Sequence, residues 1–335
     1  GASTFPVSQP ADIQIFPASY LEDVDFDGLK DLIVSPNIYT RSTFSDNLRQ
    51  SLLFYKNTGT VSLPQFTYRQ PDFLQSEMID VGDYAVPAFT DEDHDGDLDM
   101  FIGTFSTQAF RGSIYHFENI GTAAVPAFRF VTDDFLGIKA AMVQNVIPPL
   151  YNFKPQFADM NADGAADLAF TATNAETGTT RLYYIATKGN SFDFSSGQLL
   201  SVNISIGATE NLFVVDINQD GAKDILIGKS TGALQYWKNL AGPGSFNIVL
   251  ENGNYLGLSS NTSRQNLSVA IGDLNADGLE DLVTGDQHGE LDIYTNFRSY
   301  DPSSPPVSDI IYNSLSETYE SKNLGGRIWP SVANI

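Results

Sequence analysis

The stretch DEDHDGDLD, Asp91 to Asp99, decides how this chain of 335 residues reads. Carboxylates fall at positions 1, 3, 5 and 9 of the stretch (Asp91, Asp93, Asp95, Asp99), and Gly96 stands at position 6, where the backbone must turn sharply. Carboxylates held so close repel one another by about 4 kcal/mol per pair at 4 Å and an effective dielectric of 20. A hard divalent cation removes that cost. Ca²⁺ takes roughly 6 to 8 oxygens at about 2.3–2.6 Å, and alternate side chains plus the main-chain carbonyl of position 7, here Asp97, can supply most of them.

An acidic turn of Asp and Gly has a plainer reading, a solvated bend. Repetition argues against it. The same spacing recurs as Asp23, Asp25, Asp27, Gly28 and Asp31; as Asp159, Asn161, Asp163, Gly164 and Asp167; as Asp216, Asn218, Asp220, Gly221 and Asp224; and as Asp273, Asn275, Asp277, Gly278 and Asp281. Asn at position 3 keeps an oxygen ligand and drops one charge. Leu29, Ala165, Ala222 and Leu279 occupy position 7 and would offer carbonyls. The sequence therefore predicts five structural calcium sites.

The loops begin at residues 23, 91, 159, 216 and 273, spaced 68, 68, 57 and 57 apart, a repeat of propeller-blade or solenoid size. Before each loop from the second onward lies a short alternating strand with one buried face expected, carrying Pro87 and Phe89, Pro155 and Phe157, Leu212 and Val214, or Val269 and Ile271. After each loop comes an apolar run such as Met100-Phe101-Ile102 or Ile225-Leu226-Ile227, of the kind covered on both faces. Aromatic third strands follow within 52–59, 113–121, 181–189, 233–242 and 290–297, and more variable fourth strands within 65–74, 127–136 and 245–256. No helical periodicity stands out. Four strands per unit predict an all-β chain of four-stranded propeller blades, about five complete and others partial.

An EF-hand is excluded. Position 12 holds Val34, Ile102, Phe170, Ile227 and Thr284 where that loop needs a bidentate Glu, and the flanks read as strands. The combination of apolar strand, D-x-[DN]-x-D-G-x-x-D loop, apolar run and aromatic strand ending in an Asn turn resembles the FG-GAP and VCBS repeats of integrin-α-like β-propellers. The turns YKNTG (55–59) and FENIG (117–121) are similar to VCBS repeats of secreted surface proteins of Bacteroidetes. The resemblance covers nearly the whole chain and implies a fold, usually seven-bladed, that serves adhesins, lectins and polysaccharide lyases alike. The segment WPSVAN (329–334) aligns with KPQFAD (154–159), so Asn334 stands where a sixth loop would begin, and the sequence is expected to be a piece of a longer protein.

A net charge of −23 excludes nucleic acid as a main partner, since no basic surface exists to displace counterions. Three or four aspartates at the side-chain ligand positions of each loop explain much of it. With no cysteine, neither disulfides nor thiolate chemistry is available. No apolar run is long enough for a membrane span. Calcium loops without a bidentate Glu fill where calcium is near millimolar, so an extracellular or bacterial cell-surface location is expected.

Recognition is expected in the insertions at 40–51 (Arg41, Phe44, Arg49) and 104–112 (Phe105, Phe110, Arg111), because loops carry function while the framework carries stability. His94, His116 and His288 share no motif, and His94 is expected to be exposed. Among the carboxylates outside the loops, Asp133, Asp134 and Glu210 remain open as catalytic candidates. The function expected is a non-catalytic, calcium-stabilised module for adhesion or for binding a glycan or protein. The alternatives are a polysaccharide lyase or hydrolase on the same scaffold, and a passive structural module or cargo of bacterial secretion or surface machinery.

Overall fold

A computed structural model describes residues 17–36, 50–76, 78–82, 84–105, 112–189, 191–194, 199–202, 204–240, 245–321 and 323–332. The chain divides into two compact units, Gly1–Asp80 and Val81–Ile335.

The first unit holds one antiparallel sheet in the order β1 (Pro17–Glu22), β2 (Asp31–Pro36), β3 (Leu53–Asn57), β4 (Phe66–Gln70). Alternation in LFYKN puts Leu53, Tyr55 and Asn57 on the buried face of β3, where Leu53 and Tyr55 pack with Leu32, Val34 and Phe66.

The second unit repeats that sheet. Its first copy runs β5 (Val86–Thr90), β6 (Asp99–Gly103), β7 (Ile114–Asn119), β8 (Phe128–Thr132). Its second is built from β9 (Leu150–Ala158), β10 (Asp167–Asn174) and β11 (Thr180–Ile185). A small hairpin of β12 (Thr187–Lys188) and β13 (Ser191–Phe192) intervenes before its fourth strand, β14 (Leu200–Val202). The third copy runs β15 (Asn211–Val215), β16 (Asp224–Gly228), β17 (Leu234–Asn239), β18 (Ile248–Asn252). The last has β19 (Ser268–Gly272), β20 (Asp281–Gly285) and β21 (Leu291–Tyr294), with Val307 bridged to Ile293 where a fourth strand would pair. All pairings are antiparallel, and the sheets have the strand number and order of propeller blades.

The second strand of each sheet is central, and β6, β16 and β20 are buried at every residue, as their continuous apolar runs predict. Consecutive sheets of this unit pack face to face. Phe101, Phe153 and Phe170 fill one interface, Leu182, Ile225 and Ile227 the next, and Leu226, Leu282 and Phe297 the third. Each such side chain, taken fully out of water, contributes about 1.5–3 kcal/mol.

Three expectations change. In β5 the alternation runs the other way: the buried residues are Ala88 and Thr90, while Pro87 and Phe89 are exposed on the opposite face. A short helix, α1 (Ile138–Val143), interrupts the all-β pattern. Six residues are too few to show a 3.6-residue period, but Asp134 caps it from Oδ1 and Oδ2, which accept the N–H groups of Lys139 (2.7 Å) and Ala140 (3.0 Å). Residues 300–326, which open on DPSSPP and read in sequence as a long inter-strand connection, contain a hairpin of β22 (Ile311–Asn313) and β23 (Thr318–Glu320).

One buried titratable group lies in the first of these interfaces. His116 on β7 stacks on Phe101 with centroids 4.4 Å apart, its Nε2 has no hydrogen-bond partner, and burial pushes its pKa below the ordinary 6.5 against the pull of Glu92, Asp99, Glu118 and Asp93. The unfolded chain therefore takes up this proton first. The contribution is complete above about pH 6.5 and is lost as pH falls through the lower folded value. Thermal melts should show a smaller loss of Tm between pH 7 and pH 5 for His116→Phe than for the parent chain. Equal losses would show that His116 is not the responsible group.

Candidate metal loops and a cation-flanked aromatic pocket

The five Asp loops share one backbone. Position 4 is left-handed in each (Phe26, His94, Ala162, Gln219 and Ala276, with φ of 56–66°), and the glycine at position 6 has φ of 83–98°, which a side chain would strain. His94 is exposed, as expected.

Internal hydrogen bonds fix the carboxylates. Oδ1 and Oδ2 of position 1 accept the N–H groups of positions 5 and 6, at 3.1 and 3.1 Å for Asp91 and at 3.2 and 2.9 Å for Asp216. Position 5 accepts the N–H of position 7, at 3.0 Å for Asp95 and 2.8 Å for Asp277.

Position 9 behaves differently. Asp31, Asp99, Asp167, Asp224 and Asp281 are between 0 and 2% exposed. Oδ1 of each accepts, at 2.8 Å, the N–H of a residue at or just past the end of the third strand: Asn57, Asn119, Thr187, Asn239 and Asn296 respectively. Oδ2 accepts the N–H of position 2, at 3.0–3.1 Å in the last four loops. The side chain thus ties its loop to the end of the third strand of its own sheet. Burial raises the pKa of Asp167 and Asp224, opposed by these same N–H donors. Asn57 and Asn119 extend the tie, each Oδ1 accepting two N–H groups across the following turn.

The donor set suits a hard cation. Ligand oxygens of Asp23, Asp25 and Asp27 all lie within 4.8 Å of one another, as do those of Asp91, Asp93 and Asp95. Two oxygens on one Ca²⁺ can be no more than about 4.6–5.2 Å apart, twice the Ca–O distance, so these triads fit a single ion. In the first loop Lys56, on β3, bridges Asp25 and Asp27, 2.9 Å from the latter, and that pairing raises its pKa. An ammonium and a metal ion would compete for the same oxygens there. In the second loop Asp97 is buried with Oδ1 unpartnered, and burial together with the four neighbouring aspartates raises its pKa.

A second site lies in the second unit, where the first strands of its sheets converge. Val86, Lys154, Asn211 and Ser268 stand five residues before their loops, and Trp329 is the aligned residue of the last segment. All five line one cavity of about 210 Å³. Pro330 approaches Gly285 as Pro155 approaches Gly103: a Cβ on either glycine would meet the proline Cδ at 3.0 or 2.4 Å. Residues 329–332 therefore occupy the place of a further first strand. Asn334 lies outside the described residues.

Toward the strand starts this cavity adjoins a pocket of about 250 Å³ lined by Tyr84, Phe105, Tyr151, Asn152, Lys154, Thr209, Arg327 and Trp329, among others. The Tyr84 and Phe105 rings are 5.2 Å apart, as are Phe105 and Tyr151. Trp329 lies between two cations, Lys154 Nζ at 5.5 Å and Arg327 Cζ at 5.1 Å from ring centroids. Lys154 is buried, and its ammonium donates to Ala208 O (3.1 Å), Glu210 O (2.7 Å) and Asn211 Oδ1 (3.1 Å). Burial, with help from Arg327, pushes its pKa down to about 8. Arg327 donates from Nη2 to Thr209 O.

Of the insertion residues, Phe105 reaches this pocket; Arg41, Phe44, Arg49, Phe110 and Arg111 lie outside the described residues. The three open carboxylates are engaged elsewhere. Asp133 pairs with Lys139 (2.7 Å), Asp134 caps α1, and Glu210 pairs with Lys229 (2.5 Å) while accepting Ser230 and Gly207 N–H groups. Arg327 and Trp329 went unread as site residues because nothing local marks them; comparing the position five residues before each loop would have found Trp329 and Lys154 together.

Residues 159–227 and again 216–284 match a family model described as FG-GAP-like repeat. No curated protein matches the chain significantly. Among solved structures, the chain is similar to an Agrocybe aegerita lectin that specifically recognises non-reducing terminal N-acetylglucosamine, with 18% identity over 91% of this chain and 69% of that one and a TM-score of 0.40. Residues 159–284 thus match FG-GAP-like repeats, and they lie on sheets with the strand order of propeller blades.

The position-9 tie can be tested apart from metal. Asp224→Ala would leave the N–H groups of Asn239 and Ile217 and the Tyr236 hydroxyl without their acceptor in a buried place. Urea denaturation with chelator present should show a loss of about 3 kcal/mol or more, against about 1 kcal/mol for Tyr236→Phe. A loss under about 1 kcal/mol for Asp224→Ala would remove the tie from the account.

Proposed function

We propose that this chain is a calcium-stabilised, non-catalytic binding module for glycans, acting outside the cell or at a bacterial cell surface. The observation that carries the binding role is the pocket around Trp329. It presents four aromatic rings, with Asn152 and Thr209 also in its lining, and its volume of about 250 Å³ suits one sugar residue. Aromatic faces cover the C–H faces of sugars, and a few placed polar groups fix orientation.

Calcium takes a structural part in this reading. The loops would hold it through Asp23, Asp25 and Asp27 and through their equivalents at positions 1, 3 and 5. Oδ1 of each position-9 aspartate accepts a single N–H and keeps a second lone pair, and the position-7 carbonyls would complete the shell. The ion neutralises carboxylates that otherwise repel. FG-GAP-like repeats and the absence, among the described residues, of any helix long and apolar enough to cross a membrane are in keeping with the proposed location.

A lyase would need an accessible base beside the sugar. Lys154 does not supply one: it is 8% exposed and its three N–H groups have acceptors.

Two measurements test the proposal. At about 1 mM calcium and site affinities of about 0.1–1 mM, each filled loop contributes roughly 0.4–1.4 kcal/mol, so chelator should lower Tm by several degrees. An unchanged Tm would exclude structural calcium. On a glycan array the parent chain should bind and Trp329→Ala should not, with both variants melting alike; a blank array, or equal binding by the two, would exclude the pocket as a glycan site.

A further inference from the structure

The pocket around Trp329 departs from the rest of the molecule in one respect. The chain carries 41 acidic and 18 basic residues, yet among the described residues the lining of this pocket holds two cations and no carboxylate. Neither cation has an acidic partner among the described residues. Lys154 meets only neutral oxygens, and Arg327 meets the Thr209 carbonyl. Glu210, next to the lining residue Thr209, is turned to Lys229, Ser230 and Gly207.

Two like charges flanking one ring are unfavourable, and Arg327 does depress the Lys154 pKa. An anion between them relieves the repulsion. The negative charge of the remainder of the protein matters little here, because charges more than about 8 Å away are largely screened at physiological salt. The overall balance therefore does not exclude an acidic ligand at this one place.

The two cations have different parts. Lys154 has spent its three N–H groups, so it contributes a fixed, buried positive charge and no bond. Arg327 is exposed and has four further N–H donors on a planar fork, which matches a carboxylate in two-point geometry. Beside the guanidinium stand the rings of Trp329, Tyr84, Phe105 and Tyr151, a wall for the C–H face of a pyranose. We propose that this pocket takes a uronic acid residue, its carboxylate on Arg327 and its ring against the aromatic wall. The inference rests on the reading of the pocket as a glycan site and names the class of sugar.

Titration calorimetry of the full chain in calcium buffer, with methyl glucuronide, methyl galacturonide, methyl glucoside and acetate as probes, tests it. At least one uronide should bind ten or more times tighter than the glucoside and than acetate, and Arg327→Gln should remove that advantage while leaving Tm unchanged. Arg327→Lys should restore only part of it, since it returns the charge without the fork. Equal binding of glucoside and uronides would overturn the acidic specificity and leave the glycan site standing. Acetate binding as tightly as the uronides would overturn sugar recognition. No binding by any probe would overturn both.

Discussion

The buried aspartate at position 9 of each loop is the interaction on which the sheets depend. The eight residues between the first and second strands could bend away from their sheet at little cost. Instead one carboxylate accepts an N–H from its own loop and another from 15 to 26 residues downstream, at the end of the third strand. Taking an anion out of water is expensive, and it is tolerated because both oxygens are met by backbone donors that would otherwise be unsatisfied. The tie sets the end of the third strand, and in the first two sheets the Asn that ends it sets the following turn in the same way.

With that tie made, the other carboxylates of the loop become available for a different purpose. Positions 1, 3 and 5 are held toward one another by N–H groups of the same loop, which concentrates negative charge near solvent. The first loop shows what such a cluster attracts, since Lys56 crosses from β3 to sit on Asp25 and Asp27. The chemistry that favours an ammonium there favours a divalent cation more strongly, with two charges and no side-chain entropy to lose.

Much of this was legible in the sequence. Loop spacing, the continuous apolar runs of the second strands and the aromatic third strands are local patterns with local causes, and β6, β16 and β20 are buried throughout. The role of Asp224 was less legible, because by spacing alone it is one more ligand, and its Oδ1 partner is Asn239. Least legible was the pocket. Lys154 and Trp329 meet only because first strands from successive sheets converge, and a lysine in one repeat and a tryptophan in another carry no shared signal beyond their equivalent place before the loop. The insertion at 104–112 drew attention to Phe105, which lines the pocket, but the framework strand supplies the charge beside it.

Divergence therefore concentrates where the repeats meet, and uniformity where each repeat closes on itself. The uniform part makes the most direct claim, that five loops of one geometry hold five ions of one kind. Native mass spectrometry of the full chain exchanged into calcium at about 1 mM measures it without reference to any ligand. The account predicts a mass increase corresponding to five calcium ions per chain, removed together by chelator. A chain carrying no calcium under those conditions would contradict it.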